Sequence, residues 1–376
     1  MGHIKTGLND NQFDHFMDLA IGLAQKVQWG TEPNPRVGAL LVDIQGNIIG
    51  EGFHKKSGEA HAEVLALQKY STVPSGSTLF VTLEPCVHKG LTPPCTKLLI
   101  QKGVETVVIG ATDPNPVVSG KGIEELRQNG VHVISGIREK ECLKINMIFN
   151  KHILTGLPFI SIKSAITLDG KIATAKGESQ WITGPDARAK GHNLRSIHQA
   201  IAIGTGTLIS DNPELTDRSS EYPRDPVRII FSSKGQIDLN SRFVQSKHSR
   251  QILVTGSRIE SEQREKLEDS GVELLVSDEE RPPVPWVLKQ LYTKGICSVL
   301  VEGGALLSSS FIRENLVDRL YLFVSGKIIG DPGAPSWCGP LGISQLQNAP
   351  EFKIDETEKI GMDLLITCLR NSTLDQ

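Results

Sequence analysis

The chain has 376 residues, a formal net charge of −3 and a pI near 6.4, so it lacks the basic footprint of a nucleic-acid-binding protein. Its 39% hydrophobic and 22% charged content is that of a globular enzyme, not of a disordered or fibrous chain. The opening MGHIKTGLND has no apolar core and no run approaches 18 uninterrupted apolar residues, so no signal peptide or membrane span is expected, and the expected location is the cytoplasm.

A chain of this length exceeds one hydrophobic core, so two domains are expected, 1–152 and 153–376, parted near Thr155-Gly156-Leu157-Pro158. In chain order, Phe13, Phe16, Met17, Ala20, Leu23, Ala24 and Val27 recur at helical spacing after an Asn-Asp-Asn start. The apolar run Val37–Val42, a turn at Gln45-Gly46-Asn47 and Ile48-Ile49 predict a hairpin. Helices are expected over 61–70, 96–102 and 121–129, and strands over 78–83, 105–110 and 131–134. Alternation of this kind predicts a layered α/β domain with its site where strand ends meet helix starts.

At those junctions stand His61-Ala62-Glu63, Pro85-Cys86 and Cys95. One imidazole and two thiols leave the fourth tetrahedral position of a Zn²⁺ ion free, as catalytic rather than structural sites do. Glu63, one residue removed from the His ligand, suits a carboxylate that stays off the metal and moves protons, the zinc deaminase pattern. Helix N-termini favour thiolate over thiol, so Cys95, opening a helix after Pro93-Pro94, would arrive ready to bind. Taken singly, the same residues also read as buried thiols, a hydrogen-bonded core His and a solvated Glu. His88 could close a structural site as a fourth ligand. Cys142, Cys297, Cys338 and Cys368 read as free thiols, since six scattered cysteines do not make a disulfide framework.

The second half alternates again. Strands are expected over 159–164, 200–204, 227–231, 252–254, 273–276, 298–301 and 320–324, with helices over 184–196, 259–270, 285–293 and 305–314. Val301-Glu302-Gly303-Gly304 ends an apolar strand ahead of a helix, and Gly204-Thr205-Gly206-Thr207 does the same. Such turns suit phosphate or a dinucleotide in the crevice at strand carboxyl ends, and equally suit plain tight turns. Arg195 and Arg218 read either as clamps for an anionic group or as solvated surface residues. Trp181 reads as core packing or a stacking platform.

Seven runs stand out along the chain: PNPRVGALLV (33–42), HAEVLAL (61–67), EPCVHKGLTPPC (84–95), DPNPVVSGKGI (113–123), TLDGKIATAKGESQWITGPDAR (167–188), DNPELTDR (211–218) and VEGG (301–304). Over residues 13–368 the chain closely resembles the bifunctional deaminase/reductase family of bacterial riboflavin biosynthesis. Eight residues between the two cysteines set it apart from cytidine and transfer-RNA deaminases, which have two. The resemblance implies a three-layer αβα cytidine-deaminase-like N-terminal domain and a dihydrofolate-reductase-like α/β C-terminal domain. It implies deamination of 2,5-diamino-6-ribosylamino-4(3H)-pyrimidinone 5′-phosphate, then NADPH reduction of the ribosyl group to ribityl. One zinc ion per chain would be held by His61, Cys86 and Cys95, with Glu63 as the catalytic acid–base.

By the same resemblance, substrate contacts in the first domain would come from Asn34, His54, Asp113 and Asn115. In the second they would come from Ser179, Arg195, Leu215, Arg218 and Glu302, the two arginines suiting the substrate phosphate. NADPH contacts would come from Ala165, Trp181, Thr207, Asp211, Ser233 and the turn at Gly304. Leu91 stands where the family commonly has Lys or Arg, with Lys89 two positions earlier. A homodimer or homotetramer is the implied assembly, with a small phosphorylated pyrimidine as the partner and neither nucleic acid nor membrane. The competing readings are a cytidine or adenosine deaminase with an unrelated appended domain, and a zinc-stabilised binding protein without turnover.

Overall fold

Asn9 starts the described fold by accepting the Gln12 N–H while the Gln12 side chain accepts its own, a capping box that opens α1 (Asp10–Gln25). A computed structural model of the protein describes residues 8–27, 30–88, 93–217, 225–246 and 248–370. Lys89, Leu91 and Arg218 lie outside the described residues. The chain divides into two units, Met1–Gly156 and Leu157–Gln376.

In the first unit α1 is followed by β1 (Gly38–Val42), β2 (Ile48–Phe53), α2 (Ala62–Ala66), β3 (Thr78–Leu83), α3 (Cys95–Gln101) and β4 (Thr106–Ala111). Then come α4 (Lys121–Gln128), β5 (His132–Ser135), α5 (Glu139–Ile145) and α6 (Met147–Thr155). The sheet order is β2-β1-β3-β4-β5, with β1 antiparallel to both neighbours and the remainder parallel. Ala62, Ala66, Leu99, Ile123 and Leu126 of α2, α3 and α4 pack on one face. Phe13, Phe16 and Met17 of α1 and Cys142 of α5 pack on the other, so the unit has three layers, αβα.

Three strand glycines permit this layering. A Cβ on Gly50 or Gly52 of β2 would come within 2.1 Å of Ala66 O or 2.3 Å of Ala62 O, so only glycine lets α2 lie against that strand. At Gly38 of β1 a Cβ would meet Ala20 O at 2.0 Å and Ala24 N at 2.9 Å. Backbone cannot yield as a flexible side chain can, so Gly38→Ala is expected to cost about 1–3 kcal/mol or more through overpacking. Thermal unfolding followed by circular dichroism should show the first unit melting several degrees lower.

The second unit runs β6 (Phe159–Ile166), α7 (Pro185–Ser196), β7 (Ala200–Gly204), α8 (Thr205–Asp211), β8 (Val227–Phe231), α9 (Arg242–Gln245) and β9 (Gln251–Thr255). It continues with α10 (Ser261–Asp269), β10 (Glu273–Val276), α11 (Val284–Thr293), β11 (Ser298–Val301), α12 (Ala305–Arg313), β12 (Arg319–Val324), β13 (Phe352–Ile360) and β14 (Asp363–Arg370). The strands form one sheet, β10-β9-β8-β7-β11-β6-β12-β14-β13, parallel except where β14 pairs β12 and β13. Leu208 of α8 packs on the face carrying Ile201 and Ile203. Phe311 and Ile312 of α12 pack on the opposite face, with Ala200, Ala202, Val299 and Val301. The neighbours β7 and β11 therefore send their following helices to opposite sides of the sheet, a topological switch point. Among the described residues no helix is long and apolar enough to cross a membrane.

Candidate functional site

His61 is the N-cap of α2 and keeps an extended backbone, so it stands just outside the helix, while Glu63 is the second residue within it. Cys86 follows β3 by three residues, and Cys95 is the first residue of α3. His61 Nδ1 lies 3.7 Å from Cys86 Sγ and 3.3 Å from Cys95 Sγ. These three residues are the metal-holding group of this kind among the described residues, their ligand atoms all within 4.8 Å of one another. Tetrahedral zinc with Zn–S of about 2.3 Å and Zn–N of about 2.0 Å sets an N···S edge of about 3.5 Å, which these separations bracket. The donor set therefore fits zinc. His88 is exposed and stands outside the group, so it does not close the site as a fourth ligand.

Proton sharing already marks the thiols as a pair. The Cys95 thiol and backbone N–H donate to Cys86 and, with His61, pull it down against the effect of burial. The same sharing, with burial, pushes Cys95 up. Glu63 is 3% exposed, and burial pushes its carboxyl up, the direction that suits a group taking and returning a proton. It lies against Cys95 yet outside the ligand group.

The surrounding polar residues converge on this point. His54 and His61 rings meet edge to face with centroids 5.3 Å apart. His54 Nδ1 lies 3.2 Å from Ala60 O, so it is the protonated nitrogen, and Nε2 accepts from Asn34 Nδ2 at 3.4 Å. Burial pulls the His54 ring down, which favours the neutral imidazole beside the metal position. Asp113, 7% exposed, is pushed up to about 6 mainly by burial, with Glu84 and Cys86 adding to it, and accepts the Asn115 N–H at 2.8 Å. Sequence reasoning passed over Thr96, whose N–H donates to Cys86 O at 3.3 Å and whose hydroxyl, also 3.3 Å from Cys86 O, donates to Glu125 Oε2 at 2.6 Å. It also passed over Glu84. Its position beside Pro85-Cys86 was the available signal.

In the second unit Gly204 caps α8 and Gly304 caps α12, both extended and neither with a side-chain cap bond, on the two sides of the switch point. A Cβ on Gly206 or Gly304 would meet nothing within 4 Å, so there is room beside the backbone at both helix starts, the kind of end that suits an anion. Ala165 is the penultimate residue of β6, and Ser233 lies on the turn after β8. Thr207 is in the first turn of α8, with Asp211 exposed at its other end. Trp181 is 59% exposed, under the Arg188 guanidinium at 4.5 Å, so it is a surface platform rather than core packing. Ser179 is half-buried two residues earlier on the same loop.

Glu302, directly after β11, receives Arg195 Nε and Nη2 at 2.9 Å each, while Arg195 Nη1 donates to Thr216 O at 3.1 Å. Lys163 Nζ stands 3.9 Å from Glu302. The sequence reading gave Arg195 to the substrate phosphate, but in the structure its fork is engaged by this carboxylate. Leu215, with φ 57, is 2% exposed in the core beneath, so only its backbone remains to meet a ligand. Burial would push the Glu302 carboxyl up, yet Arg195 and Lys163 hold it at about 2. A carboxyl held below its ordinary value of 4.5 stabilises the fold above that value, and the contribution is lost as pH falls toward 2. Denaturant melts from pH 5 to about 2 should therefore show an acid-linked loss in the second unit that Glu302→Gln does not share.

Comparison with known proteins follows this division of chemistry. Residues 10–111 match the cytidine and deoxycytidylate deaminase zinc-binding region, and residues 158–366 match the RibD C-terminal domain. The riboflavin biosynthesis protein RibD of Aquifex aeolicus is 39% identical over 94% of this chain and 97% of its own length. The chain belongs to the RibD family. The Escherichia coli K12 RibD is 37% identical over 94% of this chain and 98% of its own. Form 1 of Acinetobacter baumannii RibD superposes with a TM-score of 0.85 at 34% identity, covering 97% of this chain and all of that one. Membership makes the protein a bifunctional deaminase and reductase of riboflavin biosynthesis, with a zinc-binding deaminase domain followed by a reductase domain.

Proposed function

We propose that the first unit removes an amino group from 2,5-diamino-6-ribosylamino-4(3H)-pyrimidinone 5′-phosphate and that the second reduces the ribosyl group of the product to ribityl with NADPH. The observation carrying this reading is the His61, Cys86, Cys95 group with a buried carboxyl, Glu63, beside it and outside it. A diaminohydroxyphosphoribosylaminopyrimidine deaminase/5-amino-6-(5-phosphoribosylamino)uracil reductase of Thermotoga maritima, whose crystal structure is known, supports it at 38% identity and a TM-score of 0.82.

Zinc held by the three ligands would supply Lewis-acid activation of water. Glu63 takes the proton of the attacking water and delivers protons to the ring nitrogen and the departing ammonia. Asn34, His54, Asp113 and Asn115 hold the base and sugar. In the second unit the N-terminus of α12 would hold the cofactor's phosphates, and Ala165, Trp181, Thr207, Asp211 and Ser233 would contact the rest of the nucleotide. Ser179, Leu215, Arg218 and the Arg195–Glu302 pair meet the substrate. A cytoplasmic location is proposed, in keeping with Cys142, Cys338 and Cys368 forming no disulfide, and a homodimer or homotetramer is the proposed assembly.

The test follows ammonia release and NADPH oxidation with the diaminopyrimidinone phosphate, cytidine and adenosine as substrates, and NADH as the alternative reductant. Ammonia from a nucleoside but not from the pyrimidinone overturns the reading. Chelation of the metal should abolish ammonia release while leaving NADPH oxidation intact when the deaminated intermediate is supplied directly.

A further inference from the structure

Glu84 is a buried carboxylate outside the metal-holding group, with no salt bridge to a positive side chain among the described residues. It is 3% exposed and sits just past β3, where its N–H donates to Ala111 O at 2.9 Å. Four backbone N–H groups converge on it. Oε2 accepts from Asp113 at 3.2 Å and from Gly120 at 2.9 Å, and Oε1 accepts from Gly122 at 2.8 Å and Ile123 at 3.1 Å. Gly120 is the N-cap of α4, with φ 77 and no side-chain cap bond of its own, so a residue from a different segment does the capping. The fit is close: a Cβ on Gly122 would fall 2.3 Å from Pro85 O.

One oxygen thus closes the loop 113–120 at both ends. Within that loop the Asp113 side chain accepts Asn115 N–H and the Asn115 side chain accepts Val117 N–H at 3.0 Å, so the turns propagate from the tethered end. Two residues after Glu84 comes Cys86, a metal ligand.

We propose that Glu84 is the positioning residue of the deaminase. Its carboxylate holds the Asp113 to Gly120 loop at a set distance from the metal centre, and so places the wall against which the pyrimidine ribosyl phosphate lies. This rests on the reading of Asp113 and Asn115 as substrate contacts. A carboxylate is required because it offers acceptors alone, whereas an amide of the same shape turns an NH₂ group toward two of the four N–H donors.

The test is Glu84→Gln in the full chain, with zinc content, deaminase kinetics and NADPH oxidation measured on one preparation. The deaminase KM should rise about ten- to hundredfold, the scale of losing an outer-shell partner, with kcat changed much less. Zinc should stay bound and reductase kinetics should not move. Glu84→Asp, which keeps the charge but is one methylene short, should give an intermediate KM, and it carries the same readouts if Glu84→Gln does not fold. An unchanged KM overturns the proposal, as does loss of zinc, which would make Glu84 a prop for Cys86 alone. Both activities falling together would reduce it to a helix cap. Asn115→Ala beside it separates the two claims, since an unchanged KM there overturns the wall reading itself, whatever Glu84→Gln does.

Discussion

Glu63→Gln is expected to lower kcat for deamination by about 10²–10⁴-fold, the usual contribution of a positioned acid–base group, while the zinc site stays filled. At about 1.4 kcal/mol per tenfold, that is roughly 3–5 kcal/mol of transition-state stabilisation. The effect is local. Glu63 is outside the group His61, Cys86, Cys95, so its loss removes no ligand, and the amide keeps the shape of a side chain that is 3% exposed. What is lost is a carboxyl that burial has pushed up, able both to take the proton of water and to return it. Metal analysis, ammonia release and NADPH oxidation from the supplied intermediate are the three measurements. Activity that falls with zinc content would make Glu63 a ligand. Retained kcat would remove it from the chemistry.

The zinc triad was legible because its ligands carry their own spacing signature and each sits at an element boundary that local pattern can find: an N-cap, a strand end and a first helical turn. The same holds for the Gly204 and Gly304 turns. Elsewhere the signal was carried by contacts rather than by pattern. The strand β2 reads IIGEGF, and its alternation is broken because Gly50 and Gly52 must admit the α2 backbone, a requirement visible only once α2 is in place. The helix expected over 61–70 shortens to Ala62–Ala66, since Leu67 leaves the helical region and turns follow it. Helix α5, with only Cys142 buried, and the nine-residue α6 are too short for a period to emerge, and neither was expected. The hairpin β13–β14 was also missed. β13 is an edge strand with its residues largely exposed, so FKIDETEKI carries no apolar stripe to read.

The Arg195–Glu302 pair shows a different limit. Each residue could be singled out from sequence, but not that they bind each other. With Arg195 and Glu302 side chains 16% and 10% exposed, the pair is costly to desolvate and costlier to break, because either partner left alone is a buried charge. Arg195→Leu and Glu302→Leu are each expected to destabilise the second unit by about 3–5 kcal/mol. In the first, Glu302 keeps Lys163 at 3.9 Å; in the second, Arg195 keeps Thr216 O. The double variant should recover most of that loss, since two apolar side chains of similar volume replace the pair and only the more exposed Lys163 loses a carboxylate neighbour. Reductase activity should not return with it, because the pair stands at the switch point where substrate and cofactor are proposed to meet. Denaturant melts of the four proteins give the coupling energy, and NADPH oxidation in each separates stability from chemistry. Recovery of both together would mean that the pair only holds the fold. A double variant no more stable than the singles would mean that Lys163 and Thr216, not the mutual pairing, set the cost.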